Sequence, residues 1–199
     1  MGPERSAQPA EAAAQVEAVT TVARGTDSVR ELVLSRMRDV QDFPAPGVLF
    51  KDFSPLLADG PAFAALVDDV ADRYSRRVDV VVGIEARGFI LGAAVAYRLG
   101  LGFVPVRKAG KLPAATHRVE YSLEYGAAVL EVHRDAFLPG ARALVMDDVL
   151  ATGGTAAATC ELVERAGAVV TAVEVVLELS LFDGRSKLDG REVSSLVTV

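Results

Sequence analysis

Val145–Thr155 reads VMDDVLATGGT, and Ala143-Leu144 before it makes the run Ala143–Met146 wholly apolar. Such a run, closed by two acids and a Gly-Gly turn, predicts a buried strand over Ala141–Val149. It then predicts a helix over Thr155–Ala166, with Gly167 just past its end. The chemistry of the turn is specific. Free backbone N–H groups in a Gly-rich turn and at a helix start form an anion cradle. Thr152 and Thr155 add hydroxyl donors, and Gly153 and Gly154 let the backbone come close to a phosphate. Asp147 and Asp148 repel that anion. They suit hydroxyl groups, a cation, or positive charge developing nearby. A ribose 5-phosphate, with phosphate at one end and a diol a few ångströms away, meets both demands. The stretch lacks the spacing and the lysine of a nucleoside-triphosphate P-loop.

Outward from this motif the chain alternates strand and helix. Strands are expected over Asp79–Glu85, Gly102–Val106, Ala127–Glu131 and, as the last long one, Val169–Leu179. Gly88–Leu99 reads as a helix, and another follows Pro61 to about Arg76. Val29, Leu32, Val33, Met37 and Val40 keep helical spacing and predict a helix from Asp27-Ser28 through Gln41. Pro44, Pro46 and Gly47 break it, and Val48–Leu57 reads as an extended hood or loop. The class is therefore α/β, with a mostly parallel sheet covered on both faces. Ligands of such sheets sit at the carboxyl ends of the strands. Residues 1–27, rich in Ala, Pro, Gln, Thr and Glu, read as a disordered or loosely helical tail before a single domain over 28–199.

Composition narrows the function classes. At 199 residues with 51% apolar content, the chain can bury one sizeable core. The net charge of −6 is diffuse, so no nucleic-acid surface is expected. No eighteen-residue apolar run predicts a membrane span, and no basic start with an apolar run predicts a secretory signal. The single cysteine, Cys160, excludes an internal disulfide and fits a cytoplasmic location. It reads as a small core residue. His117 and His133 fall on no motif, and no Cys/His cluster suggests zinc.

The eleven-residue motif resembles the phosphoribosyl-pyrophosphate (PRPP) site of type I phosphoribosyltransferases. Four further segments are similar to the adenine-specific members of that family, and in their order. Asp42–Leu57 (DFPAPGVLFKDFSPLL) resembles the hood and base-binding segment, and Ile84–Ile90 (IEARGFI) the pyrophosphate loop. Val106–Pro113 (VRKAGKLP) and Tyr121–Gly126 (YSLEYG) resemble the two ends of the flexible catalytic loop.

The resemblance implies the type I phosphoribosyltransferase fold, with a small N-terminal hood over about residues 28–60 and a flexible loop over about 107–126. It implies purine salvage: transfer of the phosphoribosyl group of PRPP to adenine, giving AMP and pyrophosphate. On this pattern Ala151, Thr152, Gly153, Gly154 and Thr155 bind the 5-phosphate, and Asp147 and Asp148 hold the ribose hydroxyls. Arg87, Arg107, Lys108 and Lys111 meet pyrophosphate, and Glu124 assists the purine. Val48, Leu49, Phe50 and Lys51 bind adenine, Lys51 standing where many relatives carry Arg. Mg²⁺ is expected with PRPP, without direct protein ligands, and the chain is expected to form a homodimer. A PRPP-sensing regulator would instead carry a nucleic-acid-binding extension. A receiver-like domain would not need the Ala151–Thr155 cradle.

Overall fold

The computed structural model describes residues 26–43, 45–122 and 127–199. The tail expected over residues 1–27 falls almost wholly outside these, as does Glu124. The elements in chain order are α1 (Thr26–Arg36), β1 (Arg38–Gln41), β2 (Leu49–Asp52), α2 (Ser54–Ala58), α3 (Gly60–Tyr74) and β3 (Val80–Ile84). Next come α4 (Arg87–Leu99), β4 (Gly102–Lys108), β5 (Thr116–Ser122), β6 (Ala127–His133), β7 (Arg142–Leu150) and α5 (Gly154–Arg165). β8 (Val169–Glu178), two 3-10 helices (Ser180–Phe182 and Gly184–Leu188) and β9 (Val193–Thr198) complete the chain.

Seven strands form one sheet in the order β5-β6-β4-β3-β7-β8-β9. β4, β3, β7, β8 and β9 run parallel; β6 is antiparallel to β4, and β5 is in turn antiparallel to β6. This is the mixed, mostly parallel sheet of the type I phosphoribosyltransferase fold. β7 shows why its sequence is continuously apolar. Leu144 and Met146 enter the core layer beneath α1, α3 and α4, while Ala143 and Val145 enter the layer beneath α5. A strand buried on both faces has no polar side to alternate with.

The helices are stopped by local chemistry. Asp59 caps α3, its carboxylate accepting the Ala62 N–H at 3.1 Å, and Pro61 takes a position whose N–H needs no partner. α4 ends on Gly100 in the left-handed conformation, φ 69°. Inside, the buried Glu174 of β8 receives Tyr74 Oη at 2.8 Å and the Arg73 guanidinium at 2.8 Å, which ties α3 to the sheet.

Three expectations need correction. The first helix ends at Arg36, and Arg38–Gln41 forms a separate two-stranded ribbon with Leu49–Asp52. Met37 and Val40 keep helical spacing, but cross-strand charges favour the ribbon. Arg38 lies opposite Asp52 and Asp39 opposite Lys51, with ion pairs of 2.5 Å in both cases. The stretch Lys108–Leu123, read as loop, contains β5. Among the side chains described in that strand only Val119 is buried, so its apolar signal is thin, as befits an edge. Finally, β8 is not the last strand: β9, with two serines in six residues, pairs parallel along its outer edge.

Candidate active site

Strands β3, β4 and β7 end on one carboxyl edge, with Gly83 opposite Met146 and Ile84 opposite Val106. Parallel pairing therefore sets three segments side by side: Glu85–Arg87, Arg107–Lys111 and Asp147–Thr155. Close packing fixes the first against the third. A methyl group on Gly88 would lie 2.7 Å from the Met146 carbonyl oxygen and 3.1 Å from Asp147 Oδ1. Only glycine lets α4 begin so near the acid pair. The Glu85–Ala86 peptide bond beside it is cis.

The two acids differ. Asp148 is 6% exposed, and its Oδ2 stands 2.7 Å from Arg87 Nε in an ion pair. That oxygen has no well-aligned hydrogen bond. Asp147 Oδ1 accepts the Asp148 N–H at 2.9 Å. Burial, reinforced by the Asp148 charge, pushes the Asp147 carboxyl well above the ordinary carboxylate range. An acid pair at a strand end, with Asp148 buried, Asp147 half-buried and one Asp148 oxygen without a hydrogen bond, is suited to hydroxyl donors and to nearby positive charge. Among the described residues no three His, Cys, Asp or Glu side chains converge as a metal site. Two carboxylates side by side fit a cation that draws most of its ligands from a substrate and from water.

Beyond the acids, Gly153 adopts φ 75° and the backbone turns into α5 at Gly154. The first helical N–H groups there have no intrahelical acceptor. Thr155 Oγ1 donates to Tyr121 Oη at 3.3 Å, which joins the cradle to the end of β5. A cavity of about 250 Å³ lies between β5 and α5, lined by Tyr121, Ala157 and Lys187 among others. It meets the cradle at Gly154, and its lining includes neither the acid pair nor a hood residue.

While Arg87 pairs with Asp148, Arg107 and Lys111 converge through their side chains and Lys108 through its backbone N–H. Glu85 collects them: Lys111 Nζ lies at 2.5 Å, the Lys108 backbone N–H at 3.0 Å and Arg107 Nε at 3.5 Å. The hydrogen bond from Lys111 is the main reason that Glu85 titrates below its ordinary range. Behind them sits Glu131, fully buried on β6. It accepts the Lys111 and Leu112 N–H groups, each at 3.0 Å, and pairs with Arg118 at 3.2 Å. Burial opposes its charge, but those donors outweigh burial and hold its pKa low. Glu131 was legible as a lone acid in the apolar run AAVLEV, since a charge there demands partners. Glu85 was legible as the acid directly after a strand. Neither was singled out from sequence.

The hood supplies the other wall. Arg87 lies over the rings of Phe50 and Phe53, at 5.6 and 5.5 Å, while its Nε reaches Asp148. Phe43 packs edge-on against Phe50 at 5.1 Å. Val48 and Leu49 are exposed, at 42% and 51%. Lys51 turns its ammonium to Asp39 across the ribbon, so its side chain serves the hood rather than an open pocket. Phe53, 1% exposed, is a contributor that sequence reasoning passed over.

The arrangement has counterparts. The family model described as phosphoribosyl transferase domain matches residues 56–189. An adenine phosphoribosyltransferase of Salinispora tropica is 57% identical over 187 residues, covering 92% of this chain and 99% of that protein. The crystal structure of the Thermoanaerobacter pseudethanolicus adenine phosphoribosyltransferase superposes with a TM-score of 0.82 at 47% identity, covering 85% of this chain and 99% of that one. The Saccharomyces cerevisiae enzyme, complexed with an imino-altritol bisphosphate and adenine, also gives 0.82, at 38% identity and the same two coverages. With the domain matched over most of its length and relatives this similar end to end, the chain belongs to the adenine phosphoribosyltransferase family.

Proposed function

We propose that the protein transfers the 5-phosphoribosyl group of PRPP to adenine, giving AMP and pyrophosphate, at the carboxyl edge of β3, β4 and β7. One observation carries this reading: the acid pair and the backbone cradle leave the same strand end, and the cation cluster occupies the two neighbouring ends. A ligand with a phosphate, a diol and a pyrophosphate matches those three sets in order.

In this mechanism the Ala151–Thr155 backbone and the hydroxyls of Thr152 and Thr155 hold the 5-phosphate. Asp147 and Asp148 accept hydrogen bonds from the ribose hydroxyls and place negative charge near C1, where cationic character develops. Arg87, Arg107, Lys108 and Lys111 receive the leaving pyrophosphate, and Lys111 exchanges Glu85 for the ligand as it does so. Glu124 hydrogen-bonds the purine while its ring nitrogen attacks. Adenine is read by backbone groups of Val48–Lys51, with Phe50 against its ring. Asp147 and Asp148 would lie beside Mg²⁺ bound with PRPP, which would supply neutralisation of the pyrophosphate charge.

Incubating the protein with PRPP and, separately, adenine, hypoxanthine, xanthine and orotate tests the reaction. AMP formation is expected. Turnover of hypoxanthine without turnover of adenine refutes the base assignment. We also propose, on the family pattern, a homodimer working in the cytoplasm. Sedimentation of the purified chain tests the dimer, and no helix among the described residues is long and apolar enough to cross a membrane.

A further inference from the structure

The cradle does not shape itself. A methyl group on Gly153 would lie 2.2 Å from the Gly184 carbonyl oxygen, and one on Gly184 would lie 2.1 Å from the Ala151 carbonyl oxygen. Two stretches of backbone thus touch with no side chain between them. Gly184 opens the second 3-10 helix, which the chain enters through Asp183 at φ 47°. Leu188, 1% exposed, anchors the far end of that helix in the core beneath α5.

A charged clasp holds the near end. Arg185 Nε donates to Glu178 Oε1 at 2.6 Å, and its Nη2 donates to Oε2 at 2.7 Å. Its Nη1 reaches the Val193 carbonyl oxygen at 2.7 Å. Ser195 Oγ adds a hydrogen bond to Glu178 Oε2, also 2.7 Å. Glu178 is 7% exposed and closes β8 beside β9. None of these side chains touches the acid pair or the cation cluster.

We propose that Glu178 and Arg185 are positioning residues for phosphate binding: their two-pronged ion pair seats Gly184, and Gly184 sets the course of the Ala151–Gly153 backbone. This rests on the reading of Ala151–Thr155 as the phosphate cradle. A cradle of N–H groups has no rotamers with which to recover a misplaced donor. Its affinity depends on the aim of the backbone, and a shift of about 1 Å in a bound group costs up to about a hundredfold. Lysine cannot replace Arg185, because a point charge does not reproduce the planar fork.

The test titrates ribose 5-phosphate and, separately, pyrophosphate into the full chain by calorimetry. Four forms are compared: the natural protein, Thr155→Val, Glu178→Gln and Arg185→Lys. Glu178→Gln and Arg185→Lys are expected to weaken ribose 5-phosphate about tenfold and leave pyrophosphate within about twofold. In turnover they raise the KM for PRPP more than they lower kcat. If Thr155→Val binds ribose 5-phosphate like the natural protein, the cradle reading fails and this inference with it. If Thr155→Val weakens it while both clasp variants do not, only the inference falls. Equal weakening of both ligands in the clasp variants also overturns it, since that marks a general loss of structure. Should Glu178→Gln lose cooperative melting, Ser195→Ala removes one bond to the same carboxylate and carries the same expectation at smaller size.

Discussion

The two halves of the candidate site are built by opposite means. At the proposed phosphoribosyl end the groups available are backbone N–H donors and two carboxylates, delivered by a strand buried on both faces. Glycines there press backbone on backbone, at Gly88 against Met146 and at Gly184 against Ala151. At the proposed base end the wall is a two-stranded ribbon, four residues to a strand, with aromatic and aliphatic side chains on and beside it, several of them exposed. The difference follows from the ligand parts. Phosphate and diol are met by fixed dipoles that cannot be allowed to turn. A flat apolar ring is met by surface, which tolerates small shifts.

That contrast can be broken or sharpened. Glu124→Ala removes the group assigned to the purine, and kcat is expected to fall by about 10³ while the Kd for PRPP stays within about threefold. Rapid-mixing turnover beside PRPP titration checks it, and natural turnover ends that assignment. Asp148→Asn keeps the shape but removes the charge opposite Arg87. A loss of about 10² in kcat/KM for PRPP is expected, with an unchanged circular dichroism spectrum. Phe50→Ala belongs to the softer half: the KM for adenine should rise about tenfold and the KM for PRPP stay put. A parallel rise in both would show that the halves are not separable.

Two smaller effects refine the picture. The Asp147 carboxyl stands above its ordinary range in the folded protein, because burial and Asp148 both oppose its charge. The native state therefore holds that proton more tightly than the unfolded chain does. The resulting stabilisation is complete below the ordinary carboxylate pKa and drains away as pH rises to the raised folded value. Asp147→Asn escapes that loss, so its melting temperature should gain on the natural protein's as pH rises above the ordinary carboxylate range. A calorimetric pH series reads the gain. Lys51→Ala, finally, should leave the KM for adenine within about twofold, since the ammonium is spent on the exposed Asp39 pair and such pairs add little.

The strand–turn–helix around Asp147–Thr155 was legible because one local rule governs each of its parts. The β-branched and aliphatic run, the acids at its end and the glycines all point to the same geometry. Arg107, Lys108 and Lys111 could be named singly, but their meeting at Glu85 depends on parallel pairing of β3 with β4, a contact between residues some twenty positions apart. The hood misled for a different reason. Met37 and Val40 continue a helical period, and only the facing charges of Arg38 with Asp52 and Asp39 with Lys51 decide for a ribbon. Gly184 carried no signal at all, because its constraint comes from Gly153, which lies far away in the chain.

The hood ribbon is a sheet of its own and shares no hydrogen-bond ladder with the seven-stranded sheet. Its residues can therefore change without shifting the register of any strand that carries the acids or the cradle. On the proposed assignment, descendants of this chain have a route to new nucleobases in which Phe43, Val48 and Leu49 are rewritten, while Phe50 stays beneath Arg87 and the phosphoribosyl chemistry is inherited intact. The division of labour within one molecule is thus also a division in time, between what a lineage keeps and what it is free to vary.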